Sequence, residues 1–177
     1  MTSTKLKAGD PFPTFTLPAV GGGSIKVGEP QGGKDWQMVV VYRGKHCPMC
    51  ARYLAKLEQL QSKFFDLNVD VLAVSGDPKE KAERQVKEGH LTMPVAYDLS
   101  LDHMRKLGLY ISHPRSPEET DRPFPEPGLF IVNADGKAQV IDISNAPFAR
   151  PELEMVLHGL EYIRDPEENY PIRGTHS

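Results

Sequence analysis

Cys47 and Cys50 are the only cysteines of the chain and stand three positions apart in the run HCPMC. Two thiols at this spacing can form a working dithiol, share a metal, or simply pack as small apolar side chains. Zinc takes four ligands, and beyond the pair the sequence offers only scattered histidines (His90, His103, His113, His158 and His176), so no metal site is expected. Covalent haem requires a histidine after the second cysteine, and Ala51 stands there.

The dithiol reading follows from where the pair sits. Met38 to Tyr42 is a short apolar run suited to a buried strand, and Tyr53, Leu54, Leu57, Leu60 and Phe64 fall on one face at helical spacing. The CPMC stretch therefore lies in a tight turn at a helix N-terminus, with Cys47 at the end and Cys50 one turn on, on the same face. Unpaired backbone N–H groups and the positive end of the helix dipole favour a thiolate at Cys47. Arg43, Lys45 and His46 precede it, and no acidic residue lies between Tyr42 and Leu57. Arg43, His46, Pro48 and Tyr42 are candidates for tuning the thiol or touching substrate. The plain alternatives are solvated charges and, for Tyr42 and Trp36, core packing.

The expected chemistry is attack by the Cys47 thiolate on a sulfur or a peroxide oxygen, followed by resolution by Cys50. The product is an internal disulfide that needs an external thiol reductant; no organic cofactor is required.

The remaining elements must hold this turn in place. The segment from Lys7 to Gly33, with its Gly21-Gly22-Gly23 run, reads as a β-hairpin arm; Lys26 breaks a G-x-G-x-x-G phosphate motif. A strand is expected over Val69 to Val74, then a helix capped by Asp77 with Pro78 as its first residue and Gly89 at its end. Pro94 to Tyr97 suits a short strand, and Ser100 the cap of a helix ending near Gly108. Residues 112–127, with five prolines and six charges, read as a loop flanking a site or interface. Two strands joined by Asn133-Ala134-Asp135-Gly136 follow, then a last helix from Pro151 to about Asp165 and a polar tail over 166–177. This order predicts one α/β domain over residues 1–177, a mixed central sheet with helices on both faces.

The totals are permissive. The net charge of −3 gives no footprint for nucleic acid or an anionic membrane. The start MTSTKLKAGDPFP lacks an apolar signal core, and the expectation is a cytoplasmic protein.

The chain resembles the thioredoxin superfamily, in particular its peroxiredoxin-like AhpC/TSA branch (alkyl hydroperoxide reductase and thiol-specific antioxidant). The marks are AGDPFPTFTLP, VVVYRGKHCPMC, VDVLAVSGDP, the pair MPVAYD and LGLY, and GLFIVNADGK, which span most of the sequence. The resemblance implies a thioredoxin-like fold, a thioredoxin- or glutathione-type donor, and by analogy a homodimer. Three family positions differ. The Pro-x-x-x-Thr-x-x-Cys motif has Val40 and Gly44 where proline and the peroxide-binding threonine belong, and Pro127 replaces the arginine before the late strand. Thioredoxin-like reductases carry a cis-proline at that place, so the resemblance implies a cis Pro127 whose preceding backbone pairs with a disulfide substrate. The readings are thus disulfide exchange, hydroperoxide reduction, and a redox-sensing or redox-silent interaction module on the same fold.

Overall fold

A computed structural model describes residues 5–177. The centre is a five-stranded sheet built from β3 (Trp36–Val41), β4 (Val69–Val74), β5 (Val95–Ala96), β8 (Gly128–Val132) and β9 (Ala138–Ile143) in the order β5-β4-β3-β8-β9. β3, β4 and β5 run parallel, while β8 is antiparallel to β3 and to β9. β3 and β4 are buried at every position, which is why they read as continuous apolar runs rather than alternating ones.

The pleat sorts β3 into two cores. Met38 and Val40 join Leu54, Leu57 and Phe64 of helix α1 (Pro48–Asp66) and Leu153, Leu157 and Leu160 of α4 (Leu153–Ile163). Val39 and Val41 face the other way, toward Phe12, Leu17, Val27, and Met104 of α3 (Leu101–Lys106). The N-terminal hairpin is present as β1 (Phe15–Pro18) paired antiparallel with β2 (Ser24–Val27), with all three glycines of its turn at positive φ. The fully buried Gln37 fastens this arm: its amide oxygen accepts from the Gly28 N–H at 2.7 Å and its amide nitrogen donates to the Glu29 carbonyl at 2.9 Å.

Helix α3 begins as expected, with the Ser100 hydroxyl accepting from the His103 N–H at 3.1 Å. Ser100→Ala should therefore cost about 1 kcal/mol, read as a lower midpoint in urea unfolding. An unchanged midpoint would remove the cap from the account.

Two local expectations need correction. Asp77 does not cap α2 (Lys79–Gly89); Pro78 takes the cap position, and the Asp77 carboxylate turns back to accept from the Lys45 N–H at 2.7 Å. A carboxylate so held pins the turn before Cys47 rather than a helix end. Residues 112–127 are not wholly irregular either: β6 (Ile111–Ser112) and β7 (Phe124–Pro125) form a two-stranded ladder that closes the excursion into a tied loop. No described helix is long and apolar enough to cross a membrane.

Candidate active site

β3 delivers the chain to Tyr42 and Arg43, and Gly44 turns it at a φ of 142° toward the start of α1. Cys47 is the N-cap of α1, its sulfur accepting from the Cys50 N–H at 3.2 Å, with Pro48 in the first turn where a missing N–H costs nothing. The two side chains face one another and both lie below the surface, Cys47 at 2% and Cys50 at 0% exposure. No disulfide joins them in this structure.

The pair divides one proton unequally. Cys47 is held well below the ordinary thiol range, first by the hydrogen bond from the Cys50 thiol, then by the Cys50 N–H and the Arg43 guanidinium, against the opposing effect of burial. Cys50 is pushed up by that same contact and by burial, so it keeps its proton. The two thiols are thereby distinguished, one favouring the thiolate and the other keeping its proton.

Arg43 is fixed on two sides. Its guanidinium lies over the Phe124 ring, 4.8 Å from the centroid, and Nε is 3.1 Å from Oε2 of the buried Glu126, an ion contact rather than an aligned hydrogen bond. Glu126 also accepts from the Ser112 hydroxyl at 2.7 Å. The 112–127 excursion thus packs against the turn that leads to Cys47, with Phe124 and Glu126 both holding Arg43.

His46 packs edge-on to Phe124 at 4.6 Å, with both ring nitrogens buried and without a hydrogen-bond partner among the described residues. Burial, then Arg43, lowers its pKa, so the imidazole is neutral at pH 7 and adds no cation beside the thiolate. Lys45 reaches away, to Glu88 of α2 at 2.6 Å. Tyr42 is fully buried, and desolvation raises its phenol pKa, so it is a neutral core group behind Cys50 rather than an exposed contact.

Pro127 departs from the cis expectation. Among the described residues every peptide bond is trans. Pro127 is buried, and the preceding Glu126 N–H is already committed to the Tyr110 carbonyl at 2.8 Å. That N–H, which was to pair with a disulfide substrate, is thereby already used.

Arg150 was not among the sequence candidates. It lies 100 positions from Cys50, yet its Nη2 donates to the Cys50 sulfur at 3.4 Å. The guanidinium stacks on the Tyr53 ring at 4.6 Å, and the Tyr53 hydroxyl donates to the Pro151 carbonyl at 2.6 Å, so α1 itself holds the Arg150 loop against the pair. No local pattern around NAPFARPEL announces such a contact.

The depressed pKa has a measurable sign. Alkylation of Cys47 by iodoacetamide should persist below the ordinary thiol range and fall away as pH drops through the lowered pKa. Arg43→Gln should shift that midpoint upward by about one unit. A midpoint that does not move would take Arg43 out of the thiolate's environment.

A pair of cysteines at a helix N-terminus, the first favouring its thiolate, on a strand-turn-helix inside a mixed sheet, fits an oxidoreductase of thioredoxin-like fold. The model of the AhpC/TSA family matches residues 8–141, and the chain belongs to that family. A similar curated protein is the thiol-disulfide oxidoreductase ResA of Halalkalibacterium halodurans, 26% identical over 104 residues. That alignment covers 58% of this chain and 57% of ResA, so the chain spans little more than half the length of this relative. Among solved structures, peroxidoxin BcpB of Mycobacterium tuberculosis superposes with a TM-score of 0.74 at 18% identity, covering 90% of this chain and 99% of that one. The reduced 2-Cys peroxiredoxin of Plasmodium vivax gives 0.76 at 16% identity, covering 97% and 89%. At these identities the structures speak for the fold.

Proposed function

We propose that the chain is a dithiol hydroperoxide reductase in which Cys47 is the nucleophile and Cys50 the resolving thiol. The observation that carries this reading is a thiolate-favouring Cys47 that is only 2% exposed. A thiolate at that depth suits a small oxidant, whereas a protein disulfide would have to enter the turn. The Glu126 N–H, already donating to the Tyr110 carbonyl, is also not free to pair with a disulfide substrate, which weighs against exchange.

In the reaction the Cys47 thiolate attacks the terminal peroxide oxygen, the O–O bond breaks, and the alkoxide leaves and takes a proton. Cys47 becomes a sulfenic acid. Cys50 then attacks that sulfur, water leaves, and the Cys47–Cys50 disulfide forms. Two equivalents of an external thiol, or one dithiol of thioredoxin type, restore the pair. Re-reduction by thiols fits a cytoplasmic setting, which is part of the proposal. The family's peroxide-binding threonine is replaced by Gly44, and Arg43 supplies the nearest cation.

Disulfide exchange is the second reading, supported by the likeness to ResA. Rapid mixing of reduced protein with hydrogen peroxide separates the two. Thiol loss orders of magnitude faster than free dithiothreitol under the same conditions, with intact mass giving the internal disulfide, supports the peroxidase. A rate equal to that of dithiothreitol removes it and leaves exchange.

A further inference from the structure

Beside the cysteines lies an open groove of about 320 Å³, formed between the first turns of α1 and the loop leading into α4. Two of its walls are large apolar side chains standing in solvent, Phe148 at 75% and Met49 at 44% exposure. Exposed apolar surface gathered at one place marks an interaction site. At the inner end stands Arg150, between the groove and the Cys50 sulfur, its Nη1 buried and without an acceptor among the described residues.

The charges around the groove are cationic on balance. Arg52 lines it without an ion-pair partner among the described residues, and Lys56 lines it but is paired to Glu154. Glu152 is the one carboxylate in the lining. With Arg150, the unpaired guanidinium groups outnumber it.

We propose that this groove is the entry for the recycling reductant, and that it selects a small thiol carrying a carboxylate. The proposal rests on the Cys47–Cys50 dithiol reading. The carboxylate sits against Arg52 and Arg150, the carbon skeleton lies along Phe148 and Met49, and Arg150 turns toward the incoming anion and uncovers Cys50. The incoming thiolate attacks the Cys50 sulfur of the oxidised protein, the S–S bond breaks, and Cys47 leaves as a thiolate. That direction uses the better leaving group, because Cys47 is the thiol whose anion the turn stabilises. A second molecule of the thiol attacks the mixed disulfide on Cys50, releasing the disulfide of the donor and leaving both cysteines reduced.

The test starts from protein oxidised with diamide, so that it does not depend on peroxide chemistry. Re-reduction is followed with 3-mercaptopropionate, 2-mercaptoethanol and cysteamine, each rate corrected for the fraction of probe thiolate. The expected order is anionic over neutral over cationic, with about a tenfold spread between the extremes at low salt and collapse of the spread near 1 M salt, where charges are screened within about 3 Å. Arg52→Glu should invert the order, a ratio read within one variant and so insensitive to its yield. Acid quench and alkylation should find the first-bound probe on Cys50. Equal corrected rates, an order unmoved by Arg52→Glu, or the probe on Cys47 would each overturn the proposal, as would reduction by a thioredoxin-type protein with no discrimination among the small thiols. Failure of diamide to give the internal disulfide would overturn the dithiol reading beneath it. A disulfide that forms but is reduced without regard to charge overturns the groove alone.

Discussion

Cys47→Ser should abolish peroxide consumption, by about a thousandfold or more, because a serine hydroxyl stays protonated where the Cys47 thiol ionises. Cys50→Ser should behave differently. The first oxidation of Cys47 should proceed, since the Cys50 N–H that supports the thiolate belongs to the backbone and survives the substitution. The cycle should then stop with Cys47 as a sulfenic acid or as an adduct of the donor thiol. The Cys50 thiol also contributes to the thiolate, so the alkylation midpoint of Cys47 should rise in Cys50→Ser while remaining below that of a free cysteine. Stopped-flow peroxide decay with mass analysis reads both variants. Undiminished turnover in Cys47→Ser would end the catalytic account. Sustained cycling of Cys50→Ser without an added resolving thiol would reassign the second cysteine.

Gly44→Thr, which writes the family's usual residue into the turn, should damage the protein rather than improve it. The backbone φ of 142° at this position is one that side chains rarely adopt, and a β-branched residue tolerates it least. A Cβ there would come within 2.8 Å of Asp77 Oδ1 and 3.0 Å of His46 Nδ1. Asp77 cannot simply give way, because its carboxylate holds the Lys45 N–H two residues before Cys47. The expected cost is about 2–4 kcal/mol in denaturant unfolding, combining backbone strain with displacement of a buried carboxylate, and a slower reaction of Cys47 with peroxide. A variant of parental stability and higher peroxide reactivity would show that the turn can be rebuilt around a threonine.

What could be read from the sequence was what local pattern controls. The apolar run into Tyr42, the helical spacing of Leu54, Leu57, Leu60 and Phe64, and the Asn133–Gly136 turn each fix their element from neighbours within a few residues. Cys47 at the helix start belongs to the same class, as strand, turn and helix are contiguous. The rest of the site is assembled from distance. Lys45 meets Asp77 across 32 positions, and Arg150 reaches Cys50 across 100. Asp77 was misread because Asp-Pro before a helical run is also a sound capping pattern, and the competing use of its carboxylate comes from a different strand-to-helix turn. Pro127 was misread for a related reason. Its residue type suited a cis bond, but the hydrogen bonds around it, from the Glu126 N–H to the Tyr110 carbonyl and from the Ser144 N–H to the Pro127 carbonyl, tie it to segments more than a dozen positions away.

In the proposed cycle the sulfur that caps α1 is also the atom that is oxidised and reset. While Cys47 is an anion, the Cys50 N–H has a charged acceptor and the first turn of the helix is closed. Once the sulfur is bound in a disulfide its charge is gone, and the helix end loses that electrostatic support. Stabilising the reduced form in this way makes the disulfide a stronger oxidant, so the cap raises the reduction potential of the pair and lowers the driving force demanded of the donor that resets it.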